Sequence, residues 1–146
     1  GRPRAQALYA YLLASGQGGP VDASRAVRLY RLAADQGDAD AQNNLGEIHE
    51  SGRGVEKSPD QALQWYERAA ERGLAAGQFN AGRMWAIGAA GKSDAVRARA
   101  WLAQAEQKGV SQARQVLDWL DQHDEGTPST SATSSSTPLS NGSQSR

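Results

Sequence analysis

Residues 41–73 read AQNNLGEIHESGRGVEKSPDQALQWYERAAERG, and the spacing within this stretch decides the fold. Ala62, Trp65, Tyr66 and Ala69 stand at i, i+3, i+4 and i+7, which gathers them into one stripe on an α-helix. Ser58 precedes the stripe as an N-cap whose oxygen can accept from free backbone N–H groups, and Pro59 follows at the favoured first helical position. Gly73 closes the helix, because a residue without Cβ takes the left-handed conformation at no steric cost. Upstream, Ala41, Leu45 and Ile48 mark the packed side of a second helix over 41–51, which ends at Gly52. The stretch is a helix–loop–helix unit.

The whole chain lies on itself at an offset of 36 residues without a gap. Ala5, Ala41, Gly77 and Ala113 share a column, as do Gly16, Gly52 and Gly88, and Asp22, Ser58 and Asp94 at the N-cap. In the second helix the columns are Ala26, Ala62 and Ala98; Leu29, Trp65 and Trp101; Tyr30, Tyr66 and Leu102; Ala33, Ala69 and Ala105; and Gly37, Gly73 and Gly109. First helices are expected at 5–15, 41–51 and 77–87, with a last one at 112–123. The small alanines let helix axes come close, while Leu29, Trp65 and Trp101 fill the wider gaps between units. A lone hairpin leaves such a stripe uncovered, so units must stack, about three being the minimum. The expected organisation is a solenoid over 1–124, with repeats at about 5–40, 41–76 and 77–112 and a cap at 113–123 that uses Val116, Leu117 and Leu120.

Composition agrees with an all-α chain. Its 146 residues suit one domain. Ala occurs 26 times and Gly 16 times, while β-branched and aromatic residues, which strands need, are sparse before the tail. Sixteen Lys and Arg balance sixteen Asp and Glu, so no global basic field draws the chain to nucleic acid. Without cysteine there is no disulfide, thiolate metal site or cysteine nucleophile, and only His49 and His123 supply imidazole. No apolar run approaches the roughly 18–20 residues of a membrane span. Nothing points to a cofactor, and zero cysteine suits either redox compartment. From Thr127 to Arg146, 12 of 20 residues are Ser or Thr and Leu139 is the only large apolar side chain. Residues 125–146 are therefore expected to be a disordered tail, unable to bury enough apolar area to offset chain entropy.

The second unit carries a specific resemblance: Ala41-x3-Leu45-Gly46-x5-Gly52-x-Gly54-Val55, then Asp60-x-Ala62-x2-Trp65-Tyr66-x2-Ala69-Ala70-x2-Gly73. It resembles the Sel-one-like repeat, a 36-residue relative of the tetratricopeptide repeat, and the likeness extends over about 5–123. Unit one departs at Ala10, where the helix glycine is usual, and at Gly19 for the loop valine. Unit three departs at Ala89-Ala90-Gly91 and at Glu106. The resemblance implies a right-handed α-solenoid of three helix–loop–helix repeats plus a C-terminal capping helix, used as a non-catalytic adaptor or scaffold for a protein or extended peptide. Fold alone does not name the partner.

Residues 86–93, AIGAAGKS, fit a relaxed phosphate-loop pattern and open an alternative reading as a nucleotide-binding protein through Lys92 and Ser93. That chemistry needs a strand ahead of the loop and a helix N-terminus behind it, whereas here a helix precedes and the segment is in register with the intra-repeat loop 50–57. His49 has no second histidine at i+4 and sits in a column where the family has an aromatic residue, which favours packing. His123 offsets the C-terminal dipole of the last helix better than it serves a metal. Carboxylates such as Asp118 and Asp121 need only be solvated positions of an amphipathic helix, and no nucleophile elbow anchors a Ser/His/Asp set.

In superhelices of the implied kind the first helices line the concave groove. Turning roughly 200° from Ala41, Leu45 and Ile48 places Asn43, Glu47 and Glu50 outward. Shifts of 36 give Ala7, Tyr11 and Ala14 behind them, Phe79, Arg83 and Ala86 ahead, and Gln115, Trp119 and Gln122 beyond. Aromatic and Arg side chains are the usual anchors of interfaces. The candidate partner-binding residues are therefore Tyr11, Asn43, Glu47, Glu50, Phe79, Arg83 and Trp119; the competing reading packs the rings against adjacent helices. On the first reading, alanine at Phe79 or Arg83 weakens a partner with little loss of melting temperature. A third reading makes the units a structural spacer, a fragment of a longer solenoid.

Overall fold

The structure, a computed structural model, describes residues 23–123, which form α1 (Ala23–Asp35), α2 (Ala39–Ser51), α3 (Pro59–Glu71), α4 (Ala75–Ile87), α5 (Ala95–Gln107) and α6 (Gln112–His123). Among the described residues there is no strand, and no helix is long and apolar enough to cross a membrane. The expected first helix at 5–15, Tyr11 within it, the cap at Asp22 and the tail from 125 lie outside the described residues.

Side-chain oxygens set three of the helix starts. Ser58 Oγ accepts from Gln61 N at 3.3 Å and Asp94 Oδ1 from Arg97 N at 3.1 Å. Asp38 does the same for α2, accepting from Ala41 N at 3.2 Å, so α2 begins at Ala39 instead of 41. α4 likewise begins two residues early, at Ala75, behind Leu74, whose N–H donates to Ala69 O at 3.1 Å as it leaves α3. The connections repeat as the sequence does: Ser58 N donates to His49 O at 2.8 Å, and thirty-six residues on Asp94 N donates to Trp85 O at 2.9 Å.

α2, α4 and α6 form one layer and α1, α3 and α5 the other. Each of α2 and α4 packs between the second helices before and after it, and neighbouring first helices also touch one another. The core is correspondingly serial. Ala26, Tyr30 and Ala33 of α1 meet Ala41, Leu45 and Ile48 of α2 and Trp65 of α3. Ala62, Tyr66 and Ala70 of α3 meet Ala81 and Met84 of α4, with Trp101 of α5 against them. Ala98, Leu102 and Ala105 of α5 meet Ala86 of α4 and Leu117 and Leu120 of α6.

Two devices hold consecutive units in register. Gln42 Nε2 donates to Ala34 O at 3.1 Å and Gln78 Nε2 to Ala70 O at 3.4 Å, buried clamps on the last turn of the preceding second helix. In the next unit the same columns hold Arg114 and Glu106, and an exposed two-point ion pair replaces the clamp, at 2.9 Å for both contacts. A cation also reaches back from the end of each following second helix: Lys108 Nζ donates to Gly73 O, and the Arg72 guanidinium lies against Gly37. Positive charge at a helix C-terminus is favourable.

Gly46 and Gly82 leave no room for a side chain between a first helix and the second helix of its own unit. A Cβ on Gly46 would stand 2.4 Å from Cδ1 and Cε1 of the Tyr66 ring, and one on Gly82 2.7 Å from Leu102 Cγ. Gly46→Ala gains about 1 kcal/mol of helix propensity. It must also push Tyr66 from a fully packed site, which costs more in a well-filled core. Net destabilisation of about 1–3 kcal/mol is expected, read as a lower urea midpoint.

His49 is only 4% exposed and neither ring nitrogen has a hydrogen-bond partner. Burial, with a smaller contribution from the Arg31 charge, holds its pKa below the ordinary 6.5. The folded state therefore binds fewer protons than the unfolded chain as pH falls below 6.5, and stability declines from there toward the depressed folded value. His49→Phe should flatten that part of a melting temperature versus pH profile, leaving any carboxylate-dependent loss at lower pH in place.

Candidate binding wall of the first helices

The layer of α2, α4 and α6 brings the candidate columns side by side. Glu47, Arg83 and Trp119 form one row, Asn43, Phe79 and Gln115 a second, and Glu50, Ala86 and Gln122 a third.

A polar network joins α2 to α4 and reaches α3. Arg83 grips Glu50 with both ends of its guanidinium, Nη1 to Oε2 at 2.9 Å and Nη2 to Oε1 at 2.9 Å. Tyr66 donates its hydroxyl to Glu50 Oε1 at 2.7 Å. Asn80 Nδ2 donates to Asn43 Oδ1 at 3.0 Å, and its own Oδ1 accepts from Arg83 Nη2 at 3.5 Å. The Arg83 hydrogen bonds hold the Glu50 carboxyl below its ordinary range against the opposing effect of partial burial, and the Tyr66 donor adds to the lowering. Burial and the acceptor Glu50 push the Tyr66 hydroxyl upward, so it stays a donor. A two-point guanidinium–carboxylate pair has a fixed geometry, which makes this stretch of wall preorganised. Arg83 and Glu50 nevertheless keep 28% and 30% of their side-chain surface exposed, so a ligand can still reach them.

The residues read outward from sequence divide into three kinds. Glu47 is exposed, and partial burial followed by the Glu50 charge raises its pKa against the lowering influence of Arg53 and Arg83. Trp119 is also exposed, at 41%, stacked on His123 with centroids 4.6 Å apart. Glu50, Arg83 and Phe79 are half-buried, Phe79 resting partly against the α5–α6 core. Asn43 corrects the expectation: it is 8% exposed and turned to Asn80 across the α2–α4 seam. Ala86 likewise belongs to the core. The reason is lateral packing. A first helix has another first helix beside it as well as second helices behind it, so the arc it buries is wider than the stripe of Ala41, Leu45 and Ile48. The sequence reading missed Tyr66 and Asn80 as members of this network. Tyr66 carried the core column, and nothing in its spacing signals that its hydroxyl reaches an acid sixteen residues back.

Residues 86–93 run from the end of α4 through the intra-repeat loop, with Gly88 as the helix C-cap, its N–H donating to Met84 O, and Lys92 exposed. A helix, not a strand, leads into the loop, so the strand–turn–helix arrangement of a phosphate loop is absent there. His123 Nδ1 lies 2.9 Å from Trp119 O at the end of α6.

The Sel1 repeat family model matches residues 3–38, 39–74 and 75–110. These frames begin two residues ahead of the sequence-drawn repeats, in step with the starts of α2 and α4. The crystal structure of a Sel1 repeat protein from Oxalobacter formigenes is similar at a TM-score of 0.80 and 32% identity, over 86% of this chain and 52% of that one. A protective antigen present in uropathogenic Escherichia coli strains, displaying an SLR fold, is similar at 0.77 and 31%, over 81% of this chain and 25% of that one. The chain thus spans about half the length of the first of these proteins and a quarter of the second. A search of curated proteins gives no match. With three consecutive repeats matched and the helices stacked as a solenoid, the chain belongs to the Sel1 repeat family.

Proposed function

We propose that this chain is a non-catalytic scaffold that holds a protein or an extended peptide along the wall of its first helices. The observation that carries the reading is the row Glu47, Arg83 and Trp119. It sets an exposed acid, a guanidinium held by Glu50, and an exposed ring on three consecutive first helices. An extended segment crossing these helices meets one such group per repeat, and Arg and Trp are among the commonest energetic anchors of interfaces. Half-buried Phe79 serves this wall as an apolar floor, and buried Asn43 supports it from behind by holding Asn80 beside Arg83. Tyr11 would extend the wall at the other end. Membership of a repeat family whose members typically mediate protein–protein interactions supports the same reading.

The test selects binders to the full chain from a displayed peptide library and measures them against variants. Glu47→Ala and Trp119→Ala, both at exposed positions, should each weaken binding by about 1–2 kcal/mol while the melting temperature stays within a degree or so of the parent. Selected peptides that bind both variants as they bind the parent would refute the wall. Arg83→Ala behaves differently from the sequence expectation: it strands Glu50 beside Tyr66, so it should lower thermal stability together with binding.

A further inference from the structure

The second helices stand farther apart than the first, and the Arg31 and Lys108 side chains reach across the grooves between them. Two of these grooves can be compared within the chain, because α3 faces α1 as α5 faces α3. In the earlier one, Trp65 of α3 is 8% exposed and lies between two guanidinium groups, Arg31 of α1 at 5.5 Å from its ring centroid and Arg68 of α3 at 4.6 Å. Thirty-six residues on, Trp101 takes the place of Trp65, but Glu67 takes the place of Arg31 and Gln104 that of Arg68. Among the described residues cations cover Trp65 and Trp85, and none covers Trp101. A groove of about 380 Å³ opens there, lined by Glu67, Glu71, Arg97, Ala100, Trp101 and Gln104.

The charge of this groove favours a cation. Its one arginine, Arg97, is already engaged, 4.9 Å over the Trp85 ring and 3.5 Å from Asp94. Glu67 accepts from Trp85 Nε1 at 2.7 Å, which fixes one carboxylate oxygen and leaves the other without a donor among the described residues. Glu71, one turn along the same helix, is exposed and makes no hydrogen bond or ion pair with a described residue. Gln104 offers its Oε1, already accepting from the buried Gln78 at 3.2 Å, so its position is set from beneath. Two carboxylates and an uncovered indole are the groups a planar, five-donor guanidinium uses best, by stacking and by hydrogen bonding at once.

We infer that the α3–α5 groove is a binding site for an arginine side chain of a partner segment, which completes over Trp101 the stack that Arg31 and Arg68 complete over Trp65. The site lies on the second-helix layer and is independent of the wall of first helices. Glu67 and Glu71 neutralise the guanidinium, Trp101 takes its face, and the absence of a cation at position 104 leaves the room.

The experiment titrates N-acetyl-arginine amide into the full chain while following the indole N–H resonances of the four tryptophans, with Trp101 assigned from the spectrum of Trp101→Phe. The Trp101 signal should shift and saturate on the order of millimolar, as suits a single side chain, and N-acetyl-citrulline amide, neutral but of the same shape, should leave it unmoved. Glu71→Gln should weaken binding about fivefold. Gln104→Arg, which supplies the missing cation from within, should abolish it. A Trp101 signal that stays fixed, that moves equally with the citrulline amide, or that keeps its parent titration in Glu71→Gln or Gln104→Arg would overturn the assignment. Neither change touches Glu47 or Trp119, so selected peptides can still report on the first-helix wall when this site fails.

Discussion

The depth to which a first helix sinks against the second helix of its own unit governs everything else in this solenoid. At Gly46 and Gly82 there is no side chain, so Tyr66 and Leu102 lie against the helix backbone. That approach buries the alanine columns completely, Ala62, Ala69, Ala98 and Ala105 among them. A hairpin closed this tightly has little apolar area left to bury inside itself. It is stabilised by the units before and after it, through Trp65 toward α1 and Leu117 and Leu120 toward α5. The same approach shapes the wall of first helices, because it brings the Tyr66 hydroxyl within reach of Glu50 on the neighbouring helix.

The network of Glu50, Arg83, Asn80 and Asn43 therefore has a double character. It crosses the seam between two units, so it contributes to register, and it stays partly open to solvent, so it can meet a ligand. A rigid pair is useful on both counts, since a guanidinium already held by two hydrogen bonds has less conformational entropy to lose when a third group arrives. On the proposed reading, structural and recognition roles converge on Arg83, while Glu47 and Trp119 carry little structural duty.

Legibility from sequence followed the physics of periodicity. The 36-residue offset, the Ser58 and Asp94 caps and the buried stripe were plain because each is a local or a repeated constraint. The starts of α2 and α4 were drawn two residues late, since Asp38 is a cap found in one unit only, its column holding Leu74 and Val110. The facing of Asn43 and Ala86 was misjudged because helical rotation describes one helix against one neighbour, whereas each of these lies where two neighbours meet. Tyr66 and Asn80 escaped notice because a side chain's reach across a seam has no period. The aromatic groove at Trp101 is different again. It becomes visible only when repeat columns are compared for what fails to recur, Arg31 and Arg68 giving way to Glu67 and Gln104.

The exchange of a buried glutamine clamp for the Arg114–Glu106 pair bears on how the stack comes apart. Glutamine to a main-chain oxygen under cover is indifferent to electrolyte, but a solvent-facing pair is screened as ionic strength rises. At the last described seam the clamp itself is therefore open to adjustment by the surrounding salt. Among the described helices fraying should begin at α6 and run inward, leaving the five that precede it folded together.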